Sequence, residues 1–314
     1  MQNSQENNNK KKILTKVLIT GGSGFIGDRL CAEFVKDNYQ LTILTRNKQL
    51  KNNSLISYIY DLDSIDFNFD IIINLAGSTI ATNWGEKNKK EIYESRINIT
   101  KKIVEKINSC KNPPQVFISG SAIGIYGNQA QFGVGEDCVI NLDDNNFSQK
   151  LCYDWENQAL QSQNKTRVVI LRTGIVLGNN KCDLKGFLKK IYLPFLLGAG
   201  AKIGDGKQLM SWIDINDVVE IIKFIINNQQ ISNVINLVSP KSLSNAEFSN
   251  IFASILNRPC LLQFPEFFIK KIYGKMGEEL MLASQNIYPK KLLENNYKFQ
   301  FIEIEKSLNN IFIK

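Results

Sequence analysis

The stretch Thr20-Gly21-Gly22-Ser23-Gly24-Phe25-Ile26-Gly27 constrains this 314-residue chain more than any other. It follows the short apolar run Val17-Leu18-Ile19. It opens a segment with apolar residues at Phe25, Ile26, Leu30, Phe34 and Val35, the spacing of an amphipathic helix. A glycine turn between a buried strand and a helix is suited to binding phosphate. Gly21 lets the strand turn sharply, Gly24 lets backbone N–H groups approach a pyrophosphate, and Gly27 permits close helix–strand packing. The N-terminal dipole of the helix adds to the attraction. A glycine triplet alone is a weak signal, and its place between strand and helix gives it weight.

The alternation continues downstream. Strands are predicted at Leu41–Thr45, Ile56–Tyr60, Ile71–Ala76, Val116–Ser119 and Val168–Arg172, with helices at Lys87–Asn108 and Phe147–Gln161. Gly120–Asp144 reads as a loop. This is the rhythm of right-handed βαβ units, so the expected fold is α/β, a Rossmann-like doubly wound parallel sheet. After about residue 175 the regularity breaks. A helix over Asp183–Leu197, an extended Ser211–Ile215, a helix capped by Asp217, a strand at Val234–Val238 and helices at Ser244–Leu256 and Pro265–Tyr273 are expected there. The organisation predicted is a disordered tail over 1–14, a dinucleotide-binding domain over 15–178, and a region over 179–314 that completes the fold and forms a smaller C-terminal α/β lobe on the substrate side.

Composition narrows the chemistry. The chain has no histidine, which excludes a Ser-His-Asp triad and any histidine-ligated metal within it. Its six cysteines, at 31, 110, 138, 152, 182 and 260, form no CxxC pair and suit a reducing compartment; no metal site is expected. The net charge of +8 comes mostly from scattered lysines, with only six arginines, so nucleic-acid binding is not expected. The polar start and the lack of a membrane-length apolar run point to a cytoplasmic protein that does not enter a membrane. The sequence leaves the oligomeric state open.

The end of the second strand selects among dinucleotides. NAD sites usually place an acid there, for the ribose 2′-hydroxyl. Here the residues are Thr45-Arg46-Asn47-Lys48, and Arg46 suits a 2′-phosphate. The expected cofactor is therefore NADP(H); the alternative is that Arg46 is an ordinary surface residue.

Six further motifs occur in order: Asn74-Leu75-Ala76-Gly77, Ser95-Arg96-Ile97-Asn98-Ile99-Thr100, Ser119-Gly120-Ser121-Ala122, Tyr126-Gly127, Leu171-Arg172-Thr173-Gly174 and Ser211-Trp212-Ile213-Asp214. With the glycine turn they resemble the extended short-chain dehydrogenase/reductase superfamily, and within it the atypical, NAD(P)-dependent epimerase-like branch associated with nucleoside-diphosphate-sugar epimerases. The tail, with Ser284-Gln285, Pro289-Lys290-Lys291-Leu292 and Tyr297-Lys298-Phe299, is similar to that branch's small C-terminal domain of unknown function. The likeness covers roughly residues 15–312.

The resemblance implies roles. Gly21, Ser23, Gly24, Phe25, Ile26 and Gly27 would cradle the cofactor phosphates, Arg46 its 2′-phosphate and Asp61 its adenine. Leu75, Ala76, Gly77, Ser119, Cys152, Thr173 and Gly174 would border the cofactor elsewhere. Ordinary members use a Tyr-x-x-x-Lys pair for proton transfer, the lysine lowering the tyrosine pKa and holding the ribose. This chain departs from them: Ser148 falls at the tyrosine position, Cys152 at the lysine position, and Arg96 where ordinary members have asparagine. The catalytic candidates are then Ser121, Cys152 and Arg96, with Tyr126 and Tyr153 as fallback proton donors. Each has a structural alternative: a turn-capping hydroxyl for Ser121, an apolar helix residue for Cys152, an ion pair with Glu94 for Arg96. Trp84, Trp212 and the glycine-rich Gly198–Gln208 loop either shape a pocket or serve as scaffold. Two functions are expected in competition. One is an NADP(H)-dependent epimerase or oxidoreductase acting on a small molecule such as a nucleotide sugar or small carbonyl; the other is a non-catalytic NADPH-binding sensor.

Overall fold

Strand-forming runs in the first 240 residues alternate between two faces. In Val17-Leu18-Ile19, Val17 and Ile19 join one core while Leu18 joins the other, as the two-residue period of a strand buried on both sides requires. A computed structural model of the chain describes residues 14–180 and 183–313. Its central sheet has seven strands, β1 (Lys16–Thr20), β2 (Gln40–Leu44), β3 (Ile56–Ile59), β4 (Ile71–Asn74), β5 (Val116–Ala122), β6 (Arg167–Thr173) and β7 (Asn233–Leu237). They lie in the order β7-β6-β5-β4-β1-β2-β3, and every pairing is parallel. This is the expected Rossmann-like doubly wound sheet. The predicted tail falls almost wholly outside the described residues, as does Cys182.

Helices cover both faces. On one, α1 (Phe25–Lys36) buries Leu30, Cys31 and Phe34 beside α5 (Ile215–Asn227), whose Val218, Ile221, Ile222 and Ile225 are fully enclosed. On the other, α2 (Glu86–Ser109) packs on α3 (Phe147–Leu160), and Ile103, Val104, Ile107 and Ala159 meet Leu18, Ile72 and Phe117 of the sheet. Truncating Phe34, which is 0 % exposed, to alanine costs about 3–5 kcal/mol on the usual scale of buried aromatics. A third core joins α4 (Gly186–Leu196), α6 (Asn245–Ile255) and α9 (Ile304–Phe312), with Leu188, Phe248, Phe252 and Leu308 buried. Between α6 and α9 run α7 (Glu266–Gly277), a π-helical turn (Glu278–Leu282) and α8 (Lys290–Glu294).

Several local expectations are corrected. The Gly120–Asp144 loop contains a 3-10 turn (Ile123–Tyr126) and a strand (Gln129–Val134) that pairs in parallel with Gln285–Ile287. That partner lies some 150 residues away, so nothing local marks the strand. Helix α4 begins at Gly186, because Asp183–Leu184 instead pairs with Asn179–Asn180. The cap of α5 is Asp214 rather than Asp217. The helix starts directly after the strand Trp212–Asp214, and the Asp214 side chain accepts from Asn216 N at 2.8 Å. Asp217 lies inside the first turn, and its carboxylate accepts from Gln300 N and Phe301 N, both at 2.9 Å.

Candidate functional site

The strand order reverses between β1 and β4, and a crevice at such a reversal is where open α/β sheets bind ligands. The sheet register aligns the predicted residues along that edge. Thr20 of β1 sits opposite Asn74 of β4, Asn74 opposite Ser119 of β5, and Ser121 and Ala122 opposite Arg172 and Thr173 of β6. The edge is fastened from within. Thr20 Oγ1 donates to Asn74 Oδ1 at 2.6 Å, Asn74 Nδ2 to Thr100 Oγ1 at 2.8 Å, and Trp155 Nε1 to the same hydroxyl at 2.9 Å.

The glycine turn lies at the centre. Gly21 has φ +71°, and a Cβ there would fall 2.5 Å from the Leu75 carbonyl oxygen. At Gly27 a Cβ would fall 2.2 Å from the carbonyl oxygen of Gly21. Only glycine lets the chain turn off β1 while α1 and the segment after β4 press against it. Gly24 is the N-cap of α1 without a side-chain hydrogen bond to that end, and Ser23 is exposed beside it. The turn thus presents a helix N-terminus at the sheet edge, the arrangement that receives phosphate. Phe25 packs toward Gly178 and Gly186; a Cβ at those glycines would lie 3.3 and 3.2 Å from its ring.

Arg46 is exposed just past β2 and forms no ion pair among the described residues. Asp61 is exposed past β3 and lies 3.9 Å from Lys102 of α2. Leu75 and Ala76 are half-buried beside the turn, and Gly77 is exposed. Ser119 is fully buried and donates only to the Gly120 carbonyl at 3.4 Å. Gly174 is pressed between Ser211 and Val238.

The catalytic candidates are drawn together around α3, each already engaged. Ser121, 5 % exposed, donates to Glu156 Oε1 at 2.6 Å. Glu156 is gripped by Arg172, with Nε donating to Oε1 at 2.9 Å and Nη2 to Oε2 at 2.8 Å. Arg172 Nη1 also donates to the Tyr126 hydroxyl at 2.9 Å, and that hydroxyl donates to Asn236 Oδ1 at 2.7 Å. Burial pushes the Tyr126 phenol up to about 12. Burial, then the charge of Glu156, push the Cys152 thiol up to about 12, so at neutral pH Cys152 is a protonated thiol, not a thiolate. Tyr153 is 43 % exposed and apart from this network. Ser148 donates from Oγ and N to Glu279 Oε2, at 2.7 and 2.8 Å.

Arg96 does not pair with Glu94. Its Nη1 donates to the Ile92 carbonyl at 2.9 Å, its Nη2 to the Ser78 carbonyl at 3.0 Å, and its Cζ lies 5.4 Å from the Trp155 ring centroid.

Sequence reasoning missed Glu156 and Glu279 as members of the site. Glu156 carried a signal: it lies four residues past Cys152, on the same face of α3. Glu279 carried none. The indole N–H groups of Trp84 and Trp212 donate to the carbonyls of Ile80 and Lys241, both at 2.8 Å; Trp84 also lines a cavity of about 570 Å³ with Asn83, Lys89 and Tyr273. Within Gly198–Gln208, Ala201–Ile203 is a strand paired with Leu262–Phe264. A polar cavity of about 400 Å³ opens beside Ser148, with Gly124, Asn128, Asp143, Glu279 and Gln285 among its lining. Among the described residues no His, Cys, Asp or Glu cluster is arranged to hold a metal ion, and no helix is long and apolar enough to cross a membrane.

Comparison with known proteins agrees with this geometry. Residues 17–237 match the model of the NAD dependent epimerase/dehydratase family, and residues 264–311 match a domain of unknown function (DUF1731). The epimerase family protein YfhF of Bacillus subtilis (strain 168) is 31 % identical over 302 residues, covering 94 % of this chain and 97 % of that protein. The crystal structure of human epimerase family protein SDR39U1 (isoform 2) with NADPH superposes with a TM-score of 0.84 at 28 % identity, covering 95 % of this chain and 99 % of that one. A nucleoside-diphosphate sugar epimerase from Corynebacterium glutamicum superposes with a TM-score of 0.76 at 26 % identity, covering 96 % of this chain and 58 % of that one.

Proposed function

This chain belongs to the NAD dependent epimerase/dehydratase family, as an atypical short-chain dehydrogenase/reductase, and on that premise we propose that it binds NADPH and serves hydride transfer to or from a carbinol carbon of a small substrate such as a nucleotide sugar. The observation that carries the reading is the backbone cradle. Gly21 and Gly27 are positions where a Cβ would collide with backbone at 2.5 and 2.2 Å, and the turn ends in the N-terminus of α1. That cradle fits a pyrophosphate. Exposed Arg46, standing where NAD sites carry an acid, fits the 2′-phosphate, and the human relative was solved with NADPH.

When bound, the nicotinamide supplies or accepts the hydride. The residues of this chain orient the partners. Leu75, Ala76, Gly77, Thr173 and Gly174 border the cofactor with backbone. Ser121 meets the substrate oxygen as an acceptor, because its one hydroxyl proton is directed to Glu156. Arg172 keeps that carboxylate in place with two hydrogen bonds. Cys152, protonated and buried, is an apolar wall. Substrate lies between the sheet edge and the C-terminal lobe.

A second reading, an NADPH sensor without turnover, is favoured by one observation: Ser121, Ser148 and Tyr126 all have their hydroxyls engaged by protein partners. One experiment separates the two. The protein is screened in two forms: loaded with NADPH against small carbonyls, by loss of reduced-nicotinamide absorbance, and loaded with NADP+ against nucleotide sugars, by gain of that absorbance or by appearance of the epimeric sugar. Turnover that Ser121→Ala abolishes supports catalysis; tight NADPH binding without turnover on any of them supports the sensor. Cofactor choice is tested separately. Arg46→Ala is expected to weaken NADPH about tenfold, the scale of a lost charge-assisted contact, and to leave NADH unchanged. An unaltered NADPH/NADH affinity ratio overturns the 2′-phosphate assignment.

A further inference from the structure

Arg96 is a cation without an anion. It sits on α2, half-buried, where the loop after β4 meets α3. Of its five N–H groups, two donate to carbonyls, those of Ile92 and Ser78. No carboxylate pairs with it among the described residues, and the other three N–H groups find no acceptor there. Desolvation is the main influence on the guanidinium and pushes its pKa down. A partly desolvated charge with open donors is costly unless something pairs with it.

The guanidinium lies between Gly77 and the Trp155 ring. A Cβ at Gly77 would lie 2.8 Å from Arg96 Cζ and 3.0 and 3.1 Å from Nη2 and Nε, so any larger residue at 77 would cover it. Gly77 itself is exposed. On the other side are Trp155, with Cζ 5.4 Å from its ring, and Cys152, on which the charge of Arg96 also acts. Arg96 therefore faces the junction of the cofactor-side loop and the α3 face that lacks a lysine at 152. The other five arginines differ in place or in partner: Arg172 holds Glu156, Arg167 bonds carbonyls at the start of β6, away from the edge that carries Ser121, Arg258 bonds a carbonyl past α6, Arg29 bonds Asn216, and Arg46 lies past β2.

We propose that Arg96 receives a carboxylate of the substrate, so that the cation of this site is supplied by α2 rather than α3 and the substrate is an acid. A guanidinium offers paired N–H groups in one plane, which matches a carboxylate bidentately. The proposal rests on the cofactor reading above for the place of the substrate, and its test separates the two.

NADPH affinity is measured first, by fluorescence titration, in the unaltered protein and in Arg96→Gln and Arg96→Lys. Thermal unfolding is then followed with and without saturating NADPH, in sodium oxalate, sodium phosphate or sodium chloride at matched ionic strength. Oxalate is expected to raise the Tm of the NADPH-loaded protein by about 2–4 °C over chloride, by less in Arg96→Lys and not at all in Arg96→Gln. An equal rise in Arg96→Gln, or no rise in the unaltered protein, overturns the proposal. A larger rise with phosphate than with oxalate overturns the carboxylate assignment. A rise seen only without NADPH makes the cofactor itself the anion and overturns the substrate role. Failure of NADPH to bind sinks the cofactor reading, while the oxalate arm without cofactor still decides whether Arg96 holds an anion.

Discussion

Among the glycines, Gly27 has the least room for a side chain. The collision a Cβ would meet there is with the backbone of Gly21 and Gly22, at 2.2 and 2.7 Å, and backbone cannot swing aside as a side-chain end can. At Gly24 the nearest atom is 3.1 Å away, so a methyl there needs only a small shift. Gly27→Ala is therefore expected to cost about 1–3 kcal/mol of stability, the range of overpacked sites, and to lower NADPH affinity more than tenfold. Gly24→Ala is expected to keep near-native stability and lose affinity only. Urea denaturation and fluorescence titration on the two variants check this; equal stability losses would contradict it. Both glycines were legible in the sequence, because spacing and neighbours within eight residues defined the turn. Glu156 as the partner of Ser121 was not. The pair is separated by 35 positions and meets only because α3 crosses β5, which is tertiary geometry rather than local pattern.

At the level of elements, strands and helices of the dinucleotide-binding half followed from periodicity, and the ones that escaped were held by distant partners. The strand Gln129–Val134 exists because Gln285–Ile287 lies beside it. Helix α3 shows the same dependence at its start. Asn146 caps it locally by accepting from Gln149 N at 2.9 Å, but the N–H groups of Phe147 and Ser148 are taken by Glu279, at 3.2 and 2.8 Å. A carboxylate from the π-helical turn thus closes the first turn of the helix that carries Ser148 and Cys152. Removing it leaves three donors for water to satisfy, the N–H groups of Phe147 and Ser148 and the Ser148 hydroxyl. Glu279→Ala is expected to destabilise the fold by about 1–2 kcal/mol, with Glu279→Gln intermediate because one oxygen acceptor is kept. Hydrogen exchange should quicken more at Phe147 and Ser148 than at Phe117 in the sheet, where it changes by no more than the global loss of stability. Unchanged exchange at the start of α3 would mean that Asn146 suffices.

Across the whole molecule, the C-terminal segment is fastened to the dinucleotide-binding half by buried acids. Asp214 accepts from Ser307 Oγ at 2.5 Å, and Asp217 accepts from Gln300 N and Phe301 N. Desolvation pushes Asp214 up to about 6 and raises Asp217 and Glu136 as well. A carboxyl whose folded pKa lies above its unfolded value binds protons more readily in the folded state. Its stabilising contribution is complete below the unfolded value, near 4, and disappears as pH rises through 6. The chain has no histidine, so the usual titration of that window is missing and the carboxyls should dominate it. Stability should therefore be higher at pH 5 than at pH 7.5, by about 1 kcal/mol from Asp214 alone. Below pH 4.5 the opposite effect enters, as Glu33, held low chiefly by Lys36, takes up a proton. Asp214→Asn keeps an oxygen to accept from Asn216 and an amide to face Ser307, while removing the titration. Denaturation of both proteins at pH 5 and pH 7.5 decides the matter: the difference between the two pH values should shrink in Asp214→Asn, and an equal difference would place the pH dependence on Asp217 or Glu136 instead.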